Sequence, residues 1–177
     1  MNITLIGMAG VGKSTIGKRL ARRLNYDFID VDVLIREKMG STLQDMIDEG
    51  GDQVLLDIEE EMLLSLDIGD NCIISPGGSA VYSRKGMEFL KKNSRIIFLD
   101  APFWLISRRI RDPADRGMVG LEGKTLKQLF NERLVLYKRY SDAKIRIKGK
   151  DKPARVVDKV IRKCFGEEFL ESLKNSQ

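Results

Sequence analysis

A glycine-rich segment near the amino terminus, residues 7–15, constrains this chain more than any other feature. It reads GMAGVGKST, fits the pattern G-x-x-x-x-G-K-[ST], and lies between an apolar run at 2–6 and a helical pattern at 14–24. A strand, such a loop and a helix in this order are typical of a P-loop, whose glycines let successive backbone N–H groups turn toward phosphates. We therefore expect a nucleoside triphosphate at the start of the first helix.

Individual residues of this loop have distinct expected roles. Lys13 places a positive charge near the β- and γ-phosphates, and the hydroxyl of Ser14 is a ligand for Mg²⁺. The residues expected to contact the nucleotide are Gly7, Gly10, Val11, Gly12, Lys13, Ser14 and Thr15. The sequence thus predicts ATP and Mg²⁺ as cofactors and phosphoryl transfer as the chemistry.

Short apolar runs alternate with helical patterns along the whole chain. Strands are predicted at residues 2–6, 27–32, 71–75, 95–100 and 144–148. Helices are predicted at 14–24, from a cap at Thr42 to 50–51, at 52–66 and 83–92, after Pro102, at 125–140, and from Pro153 as the last one. Strands separated by helices predict an α/β three-layer sandwich around a five-stranded parallel sheet, in a single domain of 177 residues.

Several polar or glycine residues follow predicted strands, at the edge where parallel sheets bind ligands. Asp30 and Asp32 end the second strand, and alternation places both carboxylates on one side. One could lie near Mg²⁺ and the other accept a proton from a substrate hydroxyl, or both could be solvated or cap a helix. Gly77 and Gly78 follow the third strand, where they allow a ligand close to the backbone or form an ordinary turn.

Residues 111–124 are polar, contain glycines and lack periodicity, which predicts a mobile lid within the P-loop kinase fold. Arg109, Arg111 and Arg116 flank or lie in this segment. Mobile cations of this kind neutralise charge on a transferring phosphoryl group, although a solvated basic loop has the same composition. Arg133, in the following helix, either clamps an anion or pairs with a neighbouring acid.

Composition excludes several other classes. The chain has no histidine, which removes Ser-His-Asp hydrolysis, zinc–histidine enzymes and histidine bases. Cys72 and Cys164 have no CxxC neighbour, which favours a reducing, cytoplasmic setting. Basic and acidic residues are interleaved despite a net charge of +5, which argues against nucleic acid as a partner. We expect no leader, because the first predicted strand begins at residue 2, and no membrane segment, because no apolar run reaches the ~20 residues of a span. We also expect a monomer.

With these pieces in order, the chain resembles the shikimate kinase family, among the nucleoside-monophosphate-kinase-like P-loop enzymes, from residue 1 to about 165. The residues that carry the resemblance are GxxGxGKST at 7–15, FIDVD at 28–32, Gly77-Gly78, Arg109, Arg116, Glu132, Arg133, Tyr137 and Pro153. The resemblance implies a sheet of strand order 2-3-1-4-5 and a small-molecule hydroxyl as phosphoryl acceptor. Shikimate comes first among such acceptors, and its product would be shikimate 3-phosphate, in aromatic amino acid biosynthesis.

The resemblance also implies a role for each matched residue. Asp30 would hold Mg²⁺ through water, Asp32 would contact the acceptor hydroxyl as the base, and Arg133 would contact the acceptor carboxylate. Arg116 would act catalytically from the lid beside Lys13. The remaining implied positions are Arg109 and Pro153 beside the adenine, Gly77, Gly78 and Ser79 in the acceptor site, and 33–66 as a helical acceptor-binding segment.

Three positions depart from the family pattern. The family carries F-R-x-x-E in its third helix, where the arginine grips the shikimate carboxylate, and Leu56 occupies that position here. Its three-glycine turn ends in Ser79, and its lid motif R-P-L-L is RGMV at 116–119. The missing charged contact contributes roughly 1.5–3 kcal/mol to binding. The departures raise the alternative of a less acidic, or cationic, acceptor.

Two further classes compete with a kinase. A nucleotide-binding regulator would hydrolyse ATP slowly, but it needs neither Asp32 nor Arg116. A nucleic-acid-associated P-loop protein would carry clustered arginines with exposed aromatic residues, a pattern that the sequence lacks.

Overall fold

The computed structural model describes residues 1–110 and 117–175 and contains a five-stranded sheet in the order β2-β3-β1-β4-β5. The strands are β1 Ile3–Ile6, β2 Asp27–Asp30, β3 Cys72–Ser75, β4 Arg95–Asp100 and β5 Ala143–Arg146. Every neighbouring pair is parallel. The predicted α/β class and strand order are confirmed.

Helices cover both faces of the sheet. They are α1 Lys13–Leu24, α2 Val31–Met39, α3 Leu43–Leu64, α4 Arg84–Asn93, α5 Phe103–Arg109, α6 Leu126–Tyr140, α7 Pro153–Phe165 and α8 Glu167–Asn175, with a 3-10 helix at Ala80–Tyr82. Every residue of β1 and β3 is buried, as expected for central strands of a sheet covered on both faces. None of the helices in the described residues is long and apolar enough to cross a membrane.

The structure corrects the prediction around the second strand. β2 ends at Asp30, not at residue 32, and the chain turns directly into α2. Val31 and Ile35 are both buried one helical turn apart, so the pattern here has a helical period rather than strand alternation. Asp32 therefore lies in the first turn of a helix, and the prediction that it shares a strand face with Asp30 is wrong.

Other boundaries differ at the ends of elements. α3 spans residues 43–64, and non-helical backbone angles at Gly51 (φ 78°, ψ 175°) divide it by a kink into two helical parts, as the sequence predicts. The cap predicted at Thr42 is present, since its hydroxyl accepts the Asp45 N–H and the Asp45 carboxylate accepts the Thr42 N–H. β5 spans 143–146 rather than 144–148, and α8 follows the helix predicted as the last one.

Candidate active site

The P-loop joins the carboxyl end of β1 to the start of α1. Gly7 and Gly12 have φ angles of +148° and +103°, in the range that favours glycine, and a Cβ at Gly7 would lie 2.8 Å from the Leu99 carbonyl oxygen. No side chain caps α1 at Gly12. The first N–H groups of this helix are thus open to an anion.

Lys13 is buried at the start of α1. Its Nζ donates a hydrogen bond of 2.9 Å to the Gly7 carbonyl, which holds the side chain across the loop. Desolvation lowers the pKa of Lys13, and the negative charge of Asp32 acts against this shift. The lysine therefore lies where a phosphate bound to the loop would meet it.

A cavity of about 740 Å³ opens over the loop. The predicted residues that line it are Gly10, Val11, Gly12, Lys13, Ser14, Thr15, Asp30, Asp32, Gly78, Arg109 and Pro153. It is also lined by side chains that sequence motifs did not single out, among them Arg36, Leu43 and Gln44. These come from α2 and the start of α3, which the fold brings to the same edge of the sheet.

Arg109 lines the cavity and contacts the P-loop. Its Nη1 donates to the carbonyl oxygens of Gly10 and Val11, at 3.2 and 3.0 Å. Pro153, the first residue of α7, lines the same cavity. The two residues thus lie at one cavity, and their contact with the base stays a prediction.

Arg133 is almost fully buried, with 1% of its surface exposed. Its Nη2 donates to the Val119 carbonyl at 2.6 Å, its guanidinium lies 5.3 Å from the centre of the Tyr82 ring, and its Nε has no partner among the described residues. Of the acids near it, Glu132 binds Lys124 and Tyr82 instead, and Glu59 acts on it through its charge without forming an ion pair. Since burying a charge without a partner is costly, the arrangement favours an anionic ligand.

The glycine turn after β3 lies next to this arginine, and its Gly78 lines the cavity. A Cβ on Gly78 would lie 2.9 Å from Arg133 Nη1, and the Gly78 carbonyl accepts a 2.7 Å bond from Tyr137. Gly77, Ser79 and Arg133 are not among the described residues that line the large cavity. Of the predicted acceptor residues, Asp32 and Gly78 therefore line the cavity, and Arg133 lies next to Gly78.

Two carboxylates flank the Gly77 turn. A Cβ on Gly77 would collide with Glu59 Oε1 and lie 2.8 Å from Asp32 Oδ1. Asp32 Oδ1 is buried and has no hydrogen-bond partner among the described residues. Desolvation raises the pKa of Asp32, opposed by the charge of Lys13. A carboxylate oxygen without a partner can accept a proton from a hydroxyl placed beside it.

Glu59, on α3, occupies the acid position of the F-R-x-x-E pattern but is not among the predicted site residues. Only 2% of its surface is exposed, and the Ser79 hydroxyl lies 2.7 and 2.6 Å from its two oxygens. Burial raises the pKa of Glu59 to about 7, against the hydrogen bond from Ser79. Leu56 is half-buried on the same helix. Among the described residues Glu59 forms no ion pair, and Ser79 is its hydrogen-bond partner. An acid at a core-facing position, four residues after Leu55, was the available signal.

Arg111 and Arg116 lie outside the described residues, so the mobility of the lid and the catalytic role of Arg116 stay predictions. The described part of the predicted lid, residues 117–124, contains the buried side chains of Met118 and Val119. It contacts α3 and α6 through its backbone.

The parallel sheet and the loop between β1 and α1 define a P-loop kinase, an ATP-dependent phosphotransferase. Comparison with known proteins is more specific. The family model for shikimate kinase matches residues 9–165. A shikimate kinase from a Sulfurihydrogenibium species is 32% identical over 163 residues, covering 92% of this chain and 96% of the relative.

Solved structures agree. The Aquifex aeolicus shikimate kinase is 31% identical with a TM-score of 0.78, over 94% of this chain and 100% of that one. The Acinetobacter baumannii enzyme, determined in complex with shikimate, is 27% identical with a TM-score of 0.80, over 91% and 90% of the two chains. The chain belongs to the shikimate kinase family.

Proposed function

We propose that this chain transfers the γ-phosphoryl group of ATP to a hydroxyl of shikimate and releases shikimate 3-phosphate. The observation that carries the proposal is one cavity that joins Lys13 of the P-loop to the unpartnered Oδ1 of Asp32, with the buried cation of Arg133 next to Gly78 in its wall. A phosphate donor, a base and a carboxylate-binding cation are what phosphorylation of a hydroxy acid requires. Membership of the family supports the same reading.

The transfer then follows from the residues at hand. The acceptor hydroxyl oxygen bonds to the γ-phosphorus, the bond from that phosphorus to the β–γ bridging oxygen breaks, and the hydroxyl proton passes to Asp32 Oδ1. Lys13 neutralises charge on the phosphates from its place across the loop. Arg116 would supply a second cation from the lid.

Mg²⁺ fits the donor set of the cavity. Ser14 and Asp30 both line it and offer the oxygen ligands that Mg²⁺ prefers. The described residues contain no cluster of three acids or cysteines, in keeping with an ion that takes its other ligands from phosphates and water. When bound, the ion neutralises charge on the β- and γ-phosphate oxygens.

The identity of the acceptor depends on Leu56, which stands where the family has the arginine that binds the shikimate carboxylate. With an apolar side chain there, the carboxylate of shikimate would depend on Arg133. A less acidic or cationic acceptor is the alternative, although the relatives named above are all called shikimate kinases. A monomer and a cytoplasmic location remain predictions of the same proposal.

A coupled ADP-release assay tests the acceptor directly. Shikimate would be compared with polyols, hydroxy acids, amino alcohols and nucleosides, and we expect turnover of shikimate at roughly 1–100 s⁻¹. Turnover of another compound without shikimate would reject this acceptor. ADP release that no compound accelerates would indicate the nucleotide-hydrolysing regulator instead.

Substitution of Leu56 provides the partner test. Leu56→Arg should lower the KM for shikimate about tenfold, because a charged hydrogen bond to carboxylate contributes at least about 1.5 kcal/mol. Leu56→Met is the matched control, with similar volume and no charge. No gain in the arginine variant would mean that the pocket differs from the family by more than this contact.

A further inference from the structure

Residues 117–120 are held at both ends by side chains of α3. The Gly117 N–H donates to Gln44 Oε1 at 2.9 Å, and the Gly120 N–H donates to Asp52 Oδ2 at 2.6 Å. Gln44 and Asp52 lie on either side of the irregular backbone at Gly51. The two contacts therefore bridge the two halves of α3 to one short stretch of backbone.

The contact at Gly117 depends on the residue that replaces the family proline. Gly117 has a φ angle of +57°, and a Cβ there would lie 2.6 Å from Leu43 Cβ. Proline is fixed near φ −65° and has no N–H to donate, so it could make neither this turn nor this hydrogen bond. The glycine that replaces the family proline at 117 thus makes possible the hydrogen bond to Gln44.

Residues 117–120, which we call the clamped stretch, also contact Arg133 on the acceptor side. Between Gly117 and Gly120, the Val119 carbonyl accepts the 2.6 Å hydrogen bond from Arg133 Nη2. Arg133 also forms hydrogen bonds with the Tyr82 and Tyr137 side chains, and its guanidinium lies over the Tyr82 ring. The Val119 carbonyl is thus the backbone acceptor of a buried guanidinium that forms no ion pair among the described residues, and its position helps to set the plane of that group.

We infer that Gln44 and Asp52 are positioning residues for the acceptor: they fix the backbone of residues 117–120, and the Val119 carbonyl in turn orients Arg133. The inference rests on the proposed function, since it gives Arg133 the task of holding the acceptor anion. Loss of either clamp residue frees one end of the stretch and lets the carbonyl leave the guanidinium. Binding of the acceptor is weakened, while the P-loop, which shares no hydrogen bond with the stretch among the described residues, keeps its affinity for ATP.

Steady-state kinetics of Asp52 variants test this. Asp52→Ala should raise the KM for shikimate about fivefold to tenfold, as expected for one lost hydrogen bond, with the KM for ATP changed less than about twofold. Asp52→Asn keeps an oxygen that can accept the Gly120 N–H and should restore the KM for shikimate to within about twofold of the wild type. An unchanged KM for shikimate in Asp52→Ala, or an equal rise in the KM for ATP, would overturn the inference.

Amide hydrogen exchange separates this inference from the proposed function. In the protein without ligands, Gln44→Ala should accelerate exchange at Gly117, and Asp52→Ala at Gly120, each by about tenfold or more. This result supports the clamp even if the wild type leaves shikimate untouched, in which case only the proposed function fails. Unchanged exchange in both variants overturns the inference even if shikimate is phosphorylated. Gln44→Ala also provides a second variant if Asp52→Ala does not fold.

Discussion

The proposed donor and acceptor halves of the site are built in different ways. The donor half is one contiguous segment, residues 7–15, whose backbone encloses the phosphate position, and Arg109 binds carbonyls of that same segment. The acceptor half collects side chains from distant elements, with Asp32 on α2, Glu59 on α3 and Arg133 on α6. A backbone site tolerates side-chain changes around it, whereas a site of converging side chains changes its specificity with a single substitution.

The departures from the family pattern follow this division. Leu56, Ser79 and Gly117 all lie on the acceptor half or its clamp, and the P-loop motif is complete. Ser79 binds the buried Glu59, and Gly117 binds Gln44. Two of the departing residues of the acceptor half thus have hydrogen-bond partners within the protein. Substitutions in the two halves should therefore have different effects.

The largest effect is expected on the donor side. Lys13→Ala should lower kcat by at least about 10³, because the phosphates lose a cation that the desolvated loop holds in place. The thermal unfolding midpoint should stay within a few degrees, since the side chain acts through charge. Arg19→Ala, an exposed cation on the same helix, is the control and should retain activity. A Lys13→Ala variant with wild-type kcat would contradict the donor site.

On the acceptor side, Asp32→Asn should lower kcat about 10²–10⁴-fold and leave the KM for ATP nearly unchanged. The amide keeps the shape of the side chain but cannot take up the hydroxyl proton. Asp27→Asn, at the exposed start of β2, is the matched control. Full activity in Asp32→Asn would show that another group is the base.

The buried carboxylate of Glu59 should make stability depend on pH. Its pKa of about 7 in the folded protein, against 4.5 when exposed, means that the folded state binds the extra proton between these values. Stability contributed by this group is therefore lost as the pH rises from 4.5 to 7. Glu59→Gln should remove that loss, and its advantage over the wild type should grow to about 3 kcal/mol above pH 7, measured by urea unfolding.

The neighbouring acid provides the control for this titration. A hydrogen bond from Ser83 lowers the pKa of Glu60, so Glu60→Gln should have the opposite sign and lose stability toward neutral pH. If Glu59→Gln showed no pH-dependent difference in stability from the wild type, the pKa of Glu59 would not be raised in the folded protein. The acceptor half would then carry a second carboxylate charge beside that of Asp32.

The smallest effect is expected at Trp104, on the donor side. The Trp104 ring packs so closely on Gly149 that a Cβ on this glycine would collide with the ring. Gly149 lies in the loop between Ile147 and Asp151, and these two residues line the cavity. Trp104→Ala should raise the KM for ATP about threefold to tenfold without changing kcat, because the loop loses its support. Trp104→Phe should recover most of the affinity. A rise in the KM for shikimate alone would mean that the two halves are not separate.

Local patterns were sufficient for most of the fold. Buried strands such as Ile3–Ile6 form short apolar runs, and the Thr42 cap is a signal within four residues, so both could be read directly. The boundary after Asp30 could not, because Val31 and Asp32 fit a strand and a helix equally well over so short a span. There the packing of Val31 and Ile35 against the core decided in favour of a helix.

The sequence by itself determined the P-loop, the donor and the family, because a phosphate site made of consecutive backbone N–H groups is specified by consecutive residues. Only the tertiary structure paired Ser79 with Glu59 and tied Gly117 and Gly120 to α3. These contacts join residues that lie between 20 and 73 positions apart, and no local pattern records which of them meet. The acceptor half was decided by folding, because its chemistry depends on side chains that only the packed sheet and helices bring together.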